Sequence, residues 1–401
     1  MGIVRRLAPW RKHLAGKFGT THGNASLETM NVVTVMLAGF FNPMVRSQRL
    51  LEALSAQRWM RKCTGIERIP RSTLSDALKR FDPQQLRPLI GELTRRVPAL
   101  GRRHKDLARV TRRILAADGT YFNLAGEVAW AIASRRGNTD QHQSRFRLNL
   151  QLDTDTFSPV DADISGGDDA SEPAALLRRL RGGVIYVLDR NFLHFQLIRA
   201  VLDAGSNLVM RLRRNAVFAV QETRELTIKD REHGVVRDEV GHLTGGKTAA
   251  RHFTAAAPTQ MLRRVTVWDE RNGCELLLLT DMLDLPAYVI GALYRERWQI
   301  ELFFKWLKCY AAFDHAVSKH PGGITLQFYI AVIAALLLHL ATGRPVNKYA
   351  LFWLGCVCNG QATLEEMFEG LARIEREKAL ERARLKRKRE ERQRLAAKTI
   401  L

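Results

Sequence analysis

Cysteine is scarce in this chain: 401 residues hold five, Cys63, Cys274, Cys309, Cys356 and Cys358. Cys356-Val357-Cys358 has no second pair at zinc-ligand spacing. That excludes a disulfide framework and a zinc finger, and it points to free thiols in a reducing, cytoplasmic compartment. Long apolar runs are few as well. No apolar stretch follows Arg5, Arg6, Arg11 and Lys12, so a secretory signal is not expected. A single run, Ile324 to Ala341, approaches membrane-spanning length, but it contains Gln327 and His339 and reads as a buried core helix. Acidic residues are outnumbered at the two ends. Residues 1–117 carry 23 Lys/Arg against 7 Asp/Glu and residues 371–401 carry 12 against 5, whereas residues 118–370 balance at 28 against 29. With a net charge of +22, basic ends flanking a neutral centre suit a polyanionic partner, nucleic acid first, because phosphate neutralisation by Lys/Arg releases counterions.

The length allows two or three domains. Residues 1–109 read as a basic helical region, with amphipathic runs at 27–41, 47–61, 72–80 and 83–97. The run from Pro70 to Arg80 opens on N-cap residues and ends in cations, and with the helix before it could form a helix-turn-helix; a plain helical bundle is the other reading. Residues 110–214 change period. Arg113 to Gly119 is a short apolar run ending in Asp118, residues 128–133 and 145–153 are strand candidates, and 170–181 is a helix. A buried strand at 184–189 ends in Asp189, followed by a helix over 192–204 and a strand at 207–212. This order predicts a mixed α/β sheet with flanking helices. Residues 215–290 hold four further strand-like runs, at 216–220, 234–240, 263–268 and 275–280, which suggest a small β-rich insertion. Residues 291–345 carry one more charged helix and the apolar run, and 346–401 form a helical region with a basic tail centred on Lys386 to Arg389.

Gly241 to Thr248 matches the phosphate-binding loop of P-loop NTPases letter for letter. That loop needs a buried parallel strand leading in and a helix leading out. Here the lead-in, Val235 to Val240, is half polar, so Gly245-Gly246 is expected to be a hairpin turn.

The stretch Tyr294 to Lys308 lacks Gly and Pro and reads as one helix. Tyr294, Arg297, Glu301 and Lys308 recur at steps of three, four and seven, so they share a face, with Lys305 on the same stripe. Tyr, two residues, Arg, three residues, Glu, six residues, Lys resembles the signature around the last acid of transposases of the bacterial IS4 family at all four positions. The resemblance implies an RNase H-like mixed sheet with a β-rich insertion before the Glu helix and a helical N-terminal DNA-binding region. It implies a metal-dependent DDE enzyme that cleaves transposon-end DNA and joins the 3′-OH to target DNA, with Asp118, Asp189 and Glu301 both catalytic and metal-binding. Three such carboxylates can hold two divalent cations about 3.5–4 Å apart for in-line attack on a phosphodiester. Mg2+ is implied, with Mn2+ as a substitute. Tyr294, Arg297 and Lys308 are implied to grip phosphates, with Lys305 an outlying candidate and Arg190 and Asn191 weaker ones. Where some relatives carry a base-stacking tryptophan this chain has Leu276, with Trp268 on the preceding strand. The implied partners are double-stranded DNA, as inverted-repeat ends and target, and a second copy of the chain on the bacterial nucleoid, with no membrane. Two readings from other classes stand beside it: a DNA-binding protein without chemistry, and a P-loop ATPase acting on nucleic acid.

Overall fold

The computed structural model describes residues 27–42, 44–99, 105–124, 128–135, 142–167, 171–244, 258–309 and 316–399. The basic segment 1–26 and the loop Gly245 to Thr248 therefore lie outside the described residues. The N-terminal helices are α1 (Thr29–Phe41), α2 (Gln48–Ser55), α3 (Arg58–Thr64), α4 (Arg71–Arg80) and α5 (Arg87–Arg96). The expected run 47–61 splits because the chain turns between Ser55 and Arg58. α4 starts on Pro70, which has no N–H to lose and no side chain to cap with, rather than on a serine cap. Its apolar residues Leu74, Ala77 and Leu78 are buried, while Arg71, Lys79 and Arg80 face out.

The sheet strands are β1 (Ile114–Leu124), β2 (Ile132–Arg135), β3 (His142–Asp153), β4 (Ser158–Ser165), β5 (Ile185–Leu188) and β6 (Asn207–Arg211), followed by β7 (Val217–Thr223), β8 (Val235–Thr244), β9 (Leu262–Asp269) and β10 (Cys274–Thr280). β1 pairs antiparallel with β3 and β3 with β4, whereas β1, β5 and β6 run parallel. The order β4-β3-β1-β5-β6 is the RNase H-like arrangement. Four strands precede its first helix where three were expected, because the polar residues of β4, Asp161 and Asp163, obscure its alternation. Both bond to Arg179, at 2.9 and 3.1 Å.

The strands after β6 are the β-rich stretch expected before the Glu helix, and they extend the main sheet. β10 pairs antiparallel with β6, and β9, β8 and β7 continue one ten-stranded sheet. Charged residues survive in these strands by pairing across them: Asp238 on β8 takes Arg263 of β9 through bonds of 2.7 and 2.6 Å, and Glu239 takes Arg264 at 2.8 Å. β8, the strand leading into the phosphate-loop motif, is antiparallel to both neighbours. The parallel strand that a P-loop requires is therefore not there. Gly241 is explained by packing instead, since a Cβ on it would fall on the Ala219 carbonyl of β7.

Helices α6 (Glu172–Leu177), α7 (Phe195–Asp203) and α8 (Ile228–Glu232) precede α9 (Ala287–Glu296) and α10 (Trp298–Cys309), which are followed by α11 (Pro321–Thr342), α12 (Lys348–Cys358) and α13 (Leu364–Thr399). The sheet separates two cores. Leu115, Ala117, Tyr186 and Leu188 pack under α6 and α7 on one face. Ala116, Phe122, Ile290, Phe303 and the N-terminal helices pack with α11 on the other. α11 is the one described helix long and apolar enough to cross a membrane, and it is buried as the central post of that second core. α13 is largely exposed and carries the basic tail.

Candidate active site

Asp118 does not end its strand. β1 runs six residues further, and its side chains alternate between the two faces of the sheet. Ala116 and Phe122 belong to the core under α10 and Leu115 and Ala117 to the other, so Asp118 faces α10. Asp189 follows β5 directly and caps the short turn Arg190–Phe192, its Oδ1 accepting from the Asn191 N–H at 2.7 Å. The last paired positions of β1 and β5 are Ala116 and Val187, and each aspartate comes two residues later. The parallel register thus brings Asp118 and Asp189 side by side.

The helix expected over 294–308 is two helices. α9 ends at Glu296, Arg297 sits at the break, and α10 begins at Trp298. Arg297 keeps a helical backbone at this junction, and its side chain points to the acids. Its Nη1 donates to Asp118 Oδ2 at 3.3 Å and its Nη2 to Glu301 Oε1, so one guanidinium bridges the first and third acids. Tyr294 lies in cation–π contact with Arg297, 5.9 Å from the ring centre. Lys308 donates to Thr120 Oγ1 at 2.6 Å and lies over the Phe122 ring, which ties α10 to β1. Lys305 is exposed and makes no ion pair among the described residues. Trp268 is exposed on β9, while Leu276 packs against the core.

Burial pushes the Asp118 carboxyl up to about 7; the negative charges of Asp189 and Glu172 add to this, while Arg297 and the Gly119 N–H oppose it. Burial also raises the Tyr294 phenol and lowers the Lys308 ammonium. Glu172, at the start of α6, reaches over Gly119: a Cβ there would meet Glu172 Oε1 at 2.6 Å. Its own carboxyl is raised by burial, against the pull of Arg147.

Sequence reasoning missed Glu172, Thr120 and a basic groove beside Asp189. The groove encloses about 510 Å3 and is lined by Arg190, Arg211, Arg213 and Arg214 with Glu275 opposite. The Arg213-Arg214 pair directly after β6 was the available signal. Among the described residues no three acids, histidines or cysteines stand close enough to share one ion. The guanidinium of Arg297 is the positive centre between Asp118 and Glu301. The donors are all carboxylate oxygens, which suit a hard divalent cation, and the nearby charges of Asp189 and Glu172, which add to the effect of burial on Asp118, are of the kind a cation offsets.

A family model described as transposase DDE domain matches residues 109–337. The protein y4zB of Sinorhizobium fredii, named as a transposase, is 27% identical over 241 residues, covering 59% of this chain and 64% of its own length. The transposase named for insertion sequence element IS4SA in Synechocystis sp. is 22% identical over 282 residues, covering 68% of this chain and 72% of its own. Among solved structures, piggyBac transposase in a synaptic complex with hairpin DNA aligns at a TM-score of 0.39 and 11% identity, over 92% of this chain and 79% of that one. The family match takes in β1, β5, α9, α10 and most of α11, the elements that carry all three acids and the bridging arginine, and the chain belongs to the transposase DDE domain family.

Proposed function

We propose that this protein is a metal-dependent DNA transposase of the IS4 type, which cleaves the ends of its element and joins the freed 3′-OH to target DNA. The observation that supports the reading most is the bridge from Asp118 through Arg297 to Glu301, formed beside an Asp189 in register with Asp118. Asp118, Asp189 and Glu301 are the residues to hold two Mg2+ ions, with Mn2+ as a substitute. Held there, divalent ions would supply an activated water for strand cleavage and offset charge on the attacked phosphate.

The chain's own residues orient the substrate. Asp118 sits on β1, Asp189 directly after the neighbouring β5 and Glu301 on the first turn of α10, so each acid is presented by a fixed element. Tyr294, Arg297 and Lys308 grip the phosphates that flank the scissile one and hold it in line. Arg297 stands between Asp118 and Glu301, so its guanidinium is already at the point where that phosphate would be held. The arginines of the groove beside Asp189 continue the path for the backbone. Strand transfer exchanges one phosphodiester for another and needs no nucleotide hydrolysis. Paired cutting of two ends calls for two copies of the chain on DNA, in the cytoplasm at the nucleoid.

The test is cleavage of a labelled duplex bearing the element's own end, in Mg2+ and in EDTA, by wild type and by Asp118→Ala, Asp189→Ala and Glu301→Ala. Cleavage that needs the metal and is absent from all three variants supports the reading. A wild type that binds the duplex without cutting it, or variants that cut equally well, leaves a DNA-binding protein without chemistry.

A further inference from the structure

β5 pairs with β1 only as far as Ala116. Beyond that point β1 is backed by β3 alone among the described residues, so there residues 117–124 form one open edge of a ribbon that projects past Asp189, with β2 and β4 along its other side. On the α10 face of the ribbon stand Asp118, Thr120 and Lys308. On the opposite face Tyr121 lies between two guanidinium groups, Arg145 at 4.4 Å and Arg147 at 4.6 Å from the ring centre. Arg147 also donates to the Tyr121 hydroxyl, and its Nε is 3.6 Å from Glu172. Among the described residues no acid pairs with Arg145, and the buried Nε atoms of both arginines lack a hydrogen-bond partner. Two cations on one phenol repel each other; Glu172 offsets the charge of Arg147, while Arg145 has no such partner among the described residues, so an anion at Arg145 would relieve the pair.

We propose that Arg145, Tyr121 and Arg147 form a second phosphodiester-binding site, which takes the DNA backbone beyond the scissile phosphate on the face of the ribbon away from Glu301. Planar guanidinium forks match phosphate oxygens in pairs, and the ring between them fixes their planes. At roughly 3.3 Å per residue, Tyr121 is about 10 Å along β1 from Asp118, close to three base steps at 3.4 Å. A backbone following the free edge meets Lys308 on one face and this pair on the other, so the ribbon is straddled. The inference rests on the transposase reading and extends it, because Glu172 joins the two sites by touching Arg147 and bordering Asp118.

The experiment measures binding of a fluorescent end duplex in EDTA, where no strand is cut, as a function of salt. Arg145→Gln is expected to weaken binding about tenfold and to lower the slope of log K against log salt by about 0.9, and the Arg145→Gln/Arg147→Gln double variant by about twice that. A scan of single methylphosphonates should find a position whose neutralisation weakens wild type but not the double variant. Unchanged slopes and an unchanged scan in folded variants overturn the proposal and leave the pair a structural stack. Should Arg147→Gln disturb folding through Glu172, Tyr121→Leu, which removes the spacer and neither charge, must still shift the scan. The transposase reading fails separately, if Asp118→Ala cuts as well as wild type in Mg2+.

Discussion

Replacing Arg297 by glutamine removes the guanidinium that bridges Asp118 and Glu301, and the response should depend on both pH and metal. Taking one partner from a fully buried ion pair costs about 3–5 kcal/mol. The exposures here are 17% for Arg297, 18% for Asp118 and 32% for Glu301, so solvent screening reduces this to about 2 kcal/mol. Protonation limits the loss further. The Asp118 carboxyl already sits at about 7, and without Arg297 it rises further. A carboxyl whose folded value lies above its unfolded one loses stability as pH climbs from the unfolded value to the folded one, and no more beyond it. Wild type therefore stops losing stability from this group near pH 7, while the variant continues to lose it above. Each unit added to Asp118 widens the gap by about 1.4 kcal/mol at high pH and by almost nothing near pH 6. Urea unfolding in EDTA at pH 6 and pH 8.5 measures this, and millimolar Mg2+ or Mn2+ should restore more stability to the variant than to wild type. A destabilisation equal at both pH values and indifferent to metal would refute the account of Arg297 as the resident counter-charge.

Three further outcomes are expected. His339 is buried within α11 with an unpartnered Nε2, and burial pushes its imidazole down to about 4. Its contribution is intact above the unfolded value near 6.5 and is lost as pH falls, by about 3 kcal/mol at pH 4. His339→Leu should flatten acid unfolding over that window; a variant as acid-labile as wild type would place the cause elsewhere. Gly241→Ala should cost about 2 kcal/mol or more because β7 backbone blocks the new methyl group, read as a fall in melting temperature. Lys247→Ala should leave metal-dependent cleavage unchanged, since β8 is antiparallel on both sides; a loss of activity with ATP dependence would revive the nucleotide-loop reading.

Much of the site was legible along the chain because its chemistry is written in short spacings. Tyr294, Arg297, Glu301 and Lys308 fall within fifteen residues, and the apolar runs before Asp118 and Asp189 announce buried strands. Strand periodicity in the charged stretches was harder to read. β4 hides behind Asp161 and Asp163, and the run around Asp238 and Glu239 looked half polar because the arginines that neutralise them lie some 25 residues away on β9. Burial of a charged strand depends on its partner strand, which local sequence does not contain.

The sequence by itself determined the family, the basic ends and which acids to propose for the site, because residue type and short-range spacing carry that information directly. Tertiary structure alone decided the rest. Arg297, at the junction of α9 and α10, bonds to Asp118, 179 residues away in the chain, as well as to Glu301. The late strands joined the main sheet because β10 pairs with β6, and Glu172 came to border Asp118 because Gly119 leaves room above β1. Each of these depends on contacts between segments distant in sequence, whose free energy is set by register and packing rather than by any local pattern.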